Sequence, residues 1–274
     1  MEHLRWLRKD GKWRINFMIG AGLFLLAALL SVIGCFYTPY DPNEMNSAMK
    51  NAAPSFQHLF GTDSFGRDVF SRVLKGSRTT FLVGLAVVSI GAVGGTLVGA
   101  FTGYFGGKLD LILMRVNDAL AAIPSILLAL VFVGAFGSGT LQLVLALGLL
   151  FIPSFARVVR SGFLVQKEYD YVKNARLMGA RQLRIMFVHI LPNIKGSLLS
   201  ALAIGFNNAV LSEAAMSYLS LGVQPPEPSL GRMLSEAQPY LIRAPWSAIA
   251  PGMMILVCVL GVGLMSIEGG EKHD

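Results

Sequence analysis

The sequence predicts an all-α integral membrane protein with six transmembrane helices. Of the 274 residues, 54% are hydrophobic and 14% are charged, whereas soluble chains average about 25% charged residues. The apolar residues form continuous blocks, and about 20 helical residues cross a hydrocarbon core of about 30 Å. A disordered tail and a charged nucleic-acid module are therefore excluded, and an ordinary soluble enzyme is disfavoured.

Six blocks have the length and composition of a membrane span. They are Ile15–Tyr37, Thr79–Tyr104, Val116–Phe136, Gly139–Ala156, Val188–Leu221 and Trp246–Ile267. The first block lacks a small-residue cleavage site, so we interpret it as a retained helix.

The loop charges predict that both termini are cytoplasmic. Residues 1–14 are basic, which the positive-inside rule associates with the cytoplasm. The loop 41–75 and the segment 222–245 balance their charges, whereas residues 157–187 hold seven Lys and Arg against two acidic residues. The net charge of +7 is therefore a signal of topology first.

The second block carries Gly91, Gly95, Gly99 and Gly103 on one helix face. Small residues allow membrane helices to approach closely. Packing within the chain is the favoured interpretation, and contact with a partner subunit is the alternative.

A few polar residues and prolines inside the spans are candidates for a pathway or for packing: Asp118, Pro124, Asn207, Asn208 and Glu213. Ionisable residues in a membrane usually face a cavity or a partner. Near a helix end, ionisable side chains also reach the membrane interface at little cost in free energy. The two interpretations carry equal weight for Asp118 and Glu213.

The segment between blocks four and five is the most informative. We predict a short helix from Lys167 to Met178, a stop at Gly179 and a second helix from Arg181 to Ile190. Tyr171, Ala175 and Met178 share a mildly apolar face, which suits docking of the helix into a groove of a soluble partner. A helix lying on the membrane surface is the alternative.

Lys173-Asn174-Ala175, Gly179, His189 and Leu191-Pro192 resemble the cytoplasmic coupling motif of ABC importer permeases. The motif's Glu, first Ala and Ile are replaced by Lys173, Asn174 and His189. The stretches His58–Arg72 and Glu213–Leu234 resemble signatures of the second, C-type permease of the dipeptide, oligopeptide and nickel branch. The C-terminus departs from that branch.

This resemblance implies the type I ABC importer permease fold and a set of partners. These are a homologous second permease, two cytoplasmic ATPases that bind ATP and Mg, an extracytoplasmic solute-binding protein and membrane lipid. The chain itself then binds no cofactor or metal, has no catalytic site and contacts no nucleic acid. It would reside in a bacterial or archaeal cytoplasmic membrane and import peptides, nickel or metal–chelator complexes.

The resemblance also assigns residues to roles. ATPase coupling falls to Glu168, Tyr169, Tyr171, Val172, Lys173, Ala175, Arg176, Met178, Gly179, Ala180, Leu191 and Pro192. The extracytoplasmic signature comprises Gly61, Thr62, Asp63, Gly66, Arg67 and Asp68, where local hydrogen bonds to backbone amides are the favoured role for the two aspartates. Contact of this loop with the binding protein is the further expectation.

The predicted organisation runs in five parts along the chain. A cytoplasmic N-terminus (1–14), a first span (15–37) and an extracytoplasmic loop (38–78) precede a permease core (79–267) and a cytoplasmic tail (268–274). The core contains the coupling segment 166–190 and an outer loop 222–245. An ion-driven secondary carrier is the alternative function, but it would need central ionisable residues and an inverted repeat, and neither is clear in the sequence. A membrane protein without transport activity is a third.

Overall fold

The computed structural model describes residues 2–270, with side chains for residues 15–266. Its helices are α1 (Glu2–Phe36), α2 (Val69–Phe105), α3 (Gly107–Ala122), α4 (Ser125–Phe136), α5 (Thr140–Gln166), α6 (Asp170–Leu177), α7 (Gln182–Arg184), α8 (Lys195–Tyr218), α9 (Leu230–Ala237) and α10 (Trp246–Gly270). A π-helix, Ile185–Ile190, and a 3₁₀ turn, Leu191–Ile194, join α7 to α8. Residues 271–274 of the predicted tail 268–274 lie outside the described residues.

Within the described residues, five helices are long and apolar enough to cross a membrane, or six if α3 and α4 form one span. The predicted continuous helix Val116–Phe136 is wrong, because α3 and α4 meet at 90°. Ile123 is extended, with φ −93° and ψ 134°. Proline has no N–H to continue the hydrogen-bond ladder, and it disfavours helical geometry at the residue before it. Pro124 therefore ends α3.

The second helix begins at Val69 and not at the predicted Thr79. Asp68 caps it, since its Oδ2 accepts a hydrogen bond from the Ser71 N–H at 2.7 Å. Its first turns carry Arg72, Lys75 and Arg78, which is why hydropathy alone places the start too late. These turns extend the helix past the apolar span.

The glycine stripe of α2 packs against α5 within this chain, as predicted. A Cβ atom at Gly91 would lie 2.7 Å from the Phe151 Cβ, and one at Gly99 would lie 2.5 Å from the Ala156 carbonyl oxygen. Both contacts are closer than real Cβ atoms make. Without glycine the two parallel helices could not approach this closely.

The two connections at one end of the bundle form a layer that we call the cap, residues 37–68 and 219–245. Trp246 Nε1 donates to the Thr62 carbonyl oxygen at 3.1 Å, so the start of α10 is fixed to the first connection. The Leu230 N–H donates to Thr80 Oγ1 at 3.2 Å, which fixes the second connection to α2. The cap is thus bonded to the bundle at both connections.

Candidate functional site

The chain has three candidate sites, and the first is the segment 166–194 at the end of the bundle opposite the cap. Asp170 in the first turn and Arg176 in the last turn of α6 suit the helix dipole. The helix is shorter than the predicted Lys167–Met178, but it ends where Gly179 was expected to stop it. Gly179 has φ +79°.

Gly179 completes a Schellman motif. Its N–H donates to the Arg176 carbonyl at 3.0 Å, and the Ala180 N–H donates to the Ala175 carbonyl at 3.0 Å. This motif requires the left-handed conformation that glycine adopts without strain. A side chain at Gly179 would meet nothing of this chain within 4 Å. The reason for glycine here is therefore backbone conformation and not internal packing.

The segment is anchored to the membrane helices by a buried apolar cluster. Val172 is completely buried together with Val159 and Phe163 of α5 and with Ile185 and Ile190. Lys167 Nζ also donates to the Gly103 carbonyl oxygen at the end of α2, at 3.0 Å. A displacement of α6 would consequently be transmitted to α2, α5 and the start of α8.

The predicted apolar face of α6 does not face outward toward a partner. Tyr171 and Ala175 pack inward against the Val172 cluster, and burial of Tyr171 raises the pKa of its phenol. The exposed apolar residues are instead Leu177 and Met178, at 85% and 87% exposure. The sequence pattern did not indicate Leu177, because the predicted face did not include Val172. The burial of Val172 determines which side of α6 faces the bundle.

The remaining predicted coupling residues lie around this exposed corner. Glu168, Tyr169, Lys173, Arg176 and Pro192 are exposed, whereas Ala180 and Leu191 pack partly against the buried cluster. Lys173 Nζ lies 3.5 Å from Asp170 Oδ1 on an exposed surface. Such a pair contributes about 0–1 kcal/mol. Lys173 is thus free to meet a partner.

The second site is an ionic network in the cap. Arg67 Nε donates to Asp63 Oδ2 at 2.7 Å, and Arg67 Nη2 donates to Glu236 Oε2 at 2.6 Å. Arg72 Nη2 reaches the same Glu236 oxygen at 3.0 Å, and Arg232 Nε reaches Glu236 Oε1 at 3.2 Å. Arg72 is only 2% exposed. The network joins the first connection and α2 to α9.

The charges of Arg72 and Arg67 lower the pKa of Glu236, the carboxylate at the centre of this network. Burial alone raises the pKa of Glu236, but the charges of Arg72 and Arg67 outweigh it, and the pKa is lowered overall. Arg72 and Glu236 were not among the predicted site residues. The four-residue spacing of Arg232 and Glu236 predicts the ion pair between these two residues. No pattern in the sequence predicts the contact between Arg72 and Glu236, which are 164 residues apart.

The predicted local role of the signature aspartates is confirmed. Asp63 Oδ1 accepts from the N–H groups of Phe65 and Arg67 at 2.8 and 3.0 Å. Asp68 caps α2, and its other oxygen lies 2.9 Å from His58 Nδ1. Gly61 and Gly66 have φ of +67° and +77°, and Thr62 bonds to the Ala52 N–H at 2.8 Å. The signature thus builds a folded turn.

The third site is a cavity of about 440 Å³ between α4, α5 and α8. Its polar lining is neutral and consists of Ser125, Ser154, Asn208 and Ser212. The absence of a side chain at Gly205 leaves room for the Phe155 ring, whose Cζ would lie 2.7 Å from a Cβ. Ser154 and Ser212 were missed, since isolated serines in an apolar block give no pattern.

The other predicted pathway residues do not line this cavity. Asp118 is exposed and pairs with Arg157 at 3.2 Å. Asn207 Nδ2 donates to the Val259 carbonyl oxygen of α10 at 3.0 Å. Pro124 lies at the α3–α4 bend, next to Ser125.

Glu213 is completely buried and belongs to the cap's attachment. Its Oε1 accepts a hydrogen bond from Ser217 Oγ at 2.7 Å. Ser217 Oγ in turn accepts the Val223 N–H at 3.1 Å. Glu213 therefore holds the end of α8 to the second connection. The structure favours packing over a pathway role for Glu213.

Comparison with known proteins decides which family these features represent. Residues 95–266 match the model of the family described as "Binding-protein-dependent transport system inner membrane component". The chain belongs to this family. It is a multi-pass inner membrane protein, and the family is one of transporter permease subunits.

Curated relatives cover nearly the whole permease. The chain is 37% identical over 254 residues to a dipeptide transport system permease protein, DppC, of Haemophilus influenzae, covering 90% of this chain and 86% of the relative. It is 39% identical over 254 residues to a glutathione transport system permease protein, GsiD, of Pectobacterium atrosepticum, covering 92% and 84%. The permease resembles the C-type subunit of peptide importers, as expected from its motifs.

A solved structure supports the fold. The inward-facing MetNI methionine ABC transporter matches with a TM-score of 0.57 and 20% identity, covering 72% of this chain and 92% of that chain. This match is to the type I ABC importer permease fold and confirms the expected fold type, whereas the six spans and the cytoplasmic termini stay predictions.

Proposed function

We propose that this permease forms half of the translocation pathway of an ATP-driven, binding-protein-dependent importer of di- and oligopeptides. The exposed corner of Leu177 and Met178 carries the proposal, because it is apolar, lies outside the spanning helices and is rigidly joined to α2, α5 and α8 by the Val172 cluster. A soluble ATPase that docks on this corner can move membrane helices. ATP and Mg are bound by that ATPase, and hydrolysis occurs there.

The proposed orientation places α6 and both termini in the cytoplasm and the cap outside. The basic residues near α6, including Arg176, Arg181 and Arg184, support it through the positive-inside rule. The cap then faces a solute-binding protein. The importer comprises this chain, a homologous permease, two ATPases and that binding protein.

The cavity supports peptides as the transported class. The polar groups that line it are three hydroxyls and one amide, which donate and accept hydrogen bonds. A peptide backbone offers both partners to such groups. The relatives named for dipeptide and glutathione transport point the same way. A metal–chelator complex is the competing cargo, and identifying the ligand that co-purifies with the cognate binding protein separates the two.

The test of coupling is Gly179→Leu in the complete importer reconstituted in proteoliposomes. We expect ATP hydrolysis to lose its dependence on the loaded binding protein and peptide uptake to fall, because the substitution strains the backbone and adds bulk at the docking corner. Gly107→Leu is the matched control. Gly107 also has a positive φ, +60°, and open space around it, but it lies outside the coupling segment.

Two results would count against the proposal. One is unchanged uptake and ATP hydrolysis in Gly179→Leu. The other is an equal loss in Gly107→Leu, which would assign the effect to backbone strain alone.

A further inference from the structure

Two fully exposed apolar side chains stand on the cap, and the transport role described above does not use them. Phe56 and Ile242 have no part of their surface covered by the rest of the described chain. They come from different connections of the cap. Exposure of a large apolar side chain to water costs free energy. We therefore expect another molecule to cover these two side chains.

The Phe56 tip, Ser55–His58, is a rigid turn. The Ser55 N–H donates to the His58 carbonyl at 2.8 Å, and the His58 N–H donates to Ser55 Oγ at 3.1 Å. Tyr40 Oη donates to the Gln57 carbonyl oxygen at 2.8 Å, and the Tyr40 ring lies 4.9 Å from the His58 ring. The turn therefore holds Phe56 outward in a fixed position.

The residue that holds this tip, Tyr40, follows the end of α1 closely in the chain. The outer face of α1 is an exposed apolar stripe at helical spacing, made of Met18, Leu25, Leu29, Val32 and Phe36. Tyr40 follows Phe36 by four residues and holds the tip. The exposed stripe on α1 thus ends four residues before the residue that holds the Phe56 tip.

The Ile242 tip, residues 241–243, has the same relation to α10. An exposed apolar stripe runs along that helix through Ile249, Met253, Leu256 and Leu260. The tip precedes this helix by a few residues and ends at Arg243, which is exposed.

The two helices that carry these stripes pack on each other. The backbones of α1 and α10 are in contact at Gly20 and Gly261, where a Cβ on Gly20 would lie 2.8 Å from the Gly261 carbonyl oxygen. Trp246 at the start of α10 bonds to Thr62, six residues after Phe56. The α1–α10 pair therefore presents two apolar stripes, each with an exposed apolar tip beyond its cap end.

The charges favour lipid as the molecule that covers the two tips. Residues 51–62 contain no Asp, Glu, Lys or Arg, and the ionic network of the cap engages other residues. Phe and Leu side chains of interfacial segments bury into the boundary between headgroups and acyl chains, and a guanidinium such as that of Arg243 pairs with phosphate. We infer that the Phe56 and Ile242 tips insert into the lipid headgroup layer and anchor the cap on the membrane surface beside α1 and α10.

Site-directed spin labelling tests this anchor in the purified permease complex, reconstituted in nanodiscs of phosphatidylethanolamine and phosphatidylglycerol. The native cysteines Cys35 and Cys258 are first replaced by serine. Nitroxides are then placed at Phe56→Cys and Ile242→Cys, with Glu44→Cys as the matched control on an exposed, charged position of the cap. Collision rates with oxygen and with a nickel chelate are measured without ATP, peptide or binding protein.

We expect the oxygen-to-nickel ratio at both tips to exceed the ratio at residue 44 several-fold. Equal ratios at all three positions would overturn the anchor. So would tips that become shielded only when the loaded binding protein is added, since they would then be a protein-docking surface. None of these results depends on transport, so they leave the proposed function untouched.

The unsubstituted chain provides a second measurement. A photoactivatable phosphatidylethanolamine with its reactive group in the headgroup region is added to the same nanodiscs, and the chain is digested with trypsin. Cleavage after Lys50 and Arg67 releases residues 51–67 as one peptide. A lipid adduct is expected on this peptide, and its absence contradicts the anchor even if the cysteine variants fail to fold.

Discussion

Met178 is the residue at which the coupling proposal is most directly tested. Its side chain is 87% exposed although it is apolar, and it lies just past the end of α6, so that replacing it disturbs no internal contact of the cluster. An exposed apolar side chain of this kind is typical of the centre of a protein–protein contact.

We predict that Met178→Asp weakens coupling in the reconstituted importer while the complex still assembles. Loss of a coupling free energy of about 1–3 kcal/mol corresponds to an affinity between the coupled sites that is about 5- to 150-fold lower, and uptake should fall as a result. Met178→Leu is the control, because it retains an apolar side chain of similar volume, and it should transport normally. Normal uptake by Met178→Asp would place the ATPase contact elsewhere.

A second residue-scale prediction concerns Val172. Val172→Ala should reduce thermal stability, because removing buried methyl groups leaves a cavity in the cluster that joins α6 to α5. Val165→Ala on the exposed face of α5 is the comparison. The midpoint temperatures of thermal unfolding of the two purified variants test this prediction. An equal midpoint for both would mean that the cluster does not stabilise the segment.

Among the helices, the contact between α2 and α5 depends on glycine residues, which have no side chain to separate the two backbones. The stripe of glycines brings the two backbones together over three turns, so the position of α5, and of the segment that follows it, depends on α2. The glycine stripe could be found in the sequence, but its partner could not.

Gly99→Leu should therefore prevent stable assembly. A Cβ there would approach the Ala156 carbonyl oxygen and the Arg160 N–H to 2.5 and 2.9 Å, and backbone atoms cannot move aside as a flexible side chain can. Gly22→Leu is the control, because a Cβ at Gly22 of α1 meets nothing within 4 Å. Size-exclusion profiles of the two detergent-solubilised complexes are the measurement, and a normal profile for Gly99→Leu would refute the packing account.

At the scale of the whole molecule, the cap is a separate layer that ionic contacts hold to the bundle. Glu236 is shared by Arg67, Arg72 and Arg232, and Asp63 pairs with the first two of these arginines. Three cations thus converge on two carboxylates from distant parts of the chain.

This arrangement predicts a dependence of stability on pH. The pKa of Glu236 is lower in the folded protein than in the unfolded chain, so its contribution is present above the unfolded pKa of about 4.3 and is lost as pH falls through the folded value. The midpoint temperature should consequently drop on acidification below about pH 4.

Glu236→Gln should lower the midpoint at pH 7 and make it less sensitive to acidification. Glu227→Gln, which changes an exposed carboxylate of the same cap, should do neither. Thermal unfolding of both variants across pH provides the measurement. Identical pH profiles for Glu236→Gln and the unsubstituted protein would show that the network does not stabilise the cap.

The amino-acid sequence was enough to predict the membrane class, most spans, the stop at Gly179 and the local role of Asp63 and Asp68. Each of these depends on contacts between neighbours in the chain or on transfer of a continuous segment from water to lipid. The break at Pro124 could not be predicted, because a proline permits either a kink or a break and the surrounding packing selects between them.

The tertiary structure alone decided which surfaces remain open. That Leu177 and Met178 face outward follows from Val172 packing against α5 and the segment 185–190, and that Arg72 meets Glu236 follows from α9 lying beside α2. The same holds for the neutral cavity and for the exposed tips at Phe56 and Ile242. Burial and charge pairing between residues far apart in the chain depend on how the helices pack, and no local pattern in the sequence contains that information.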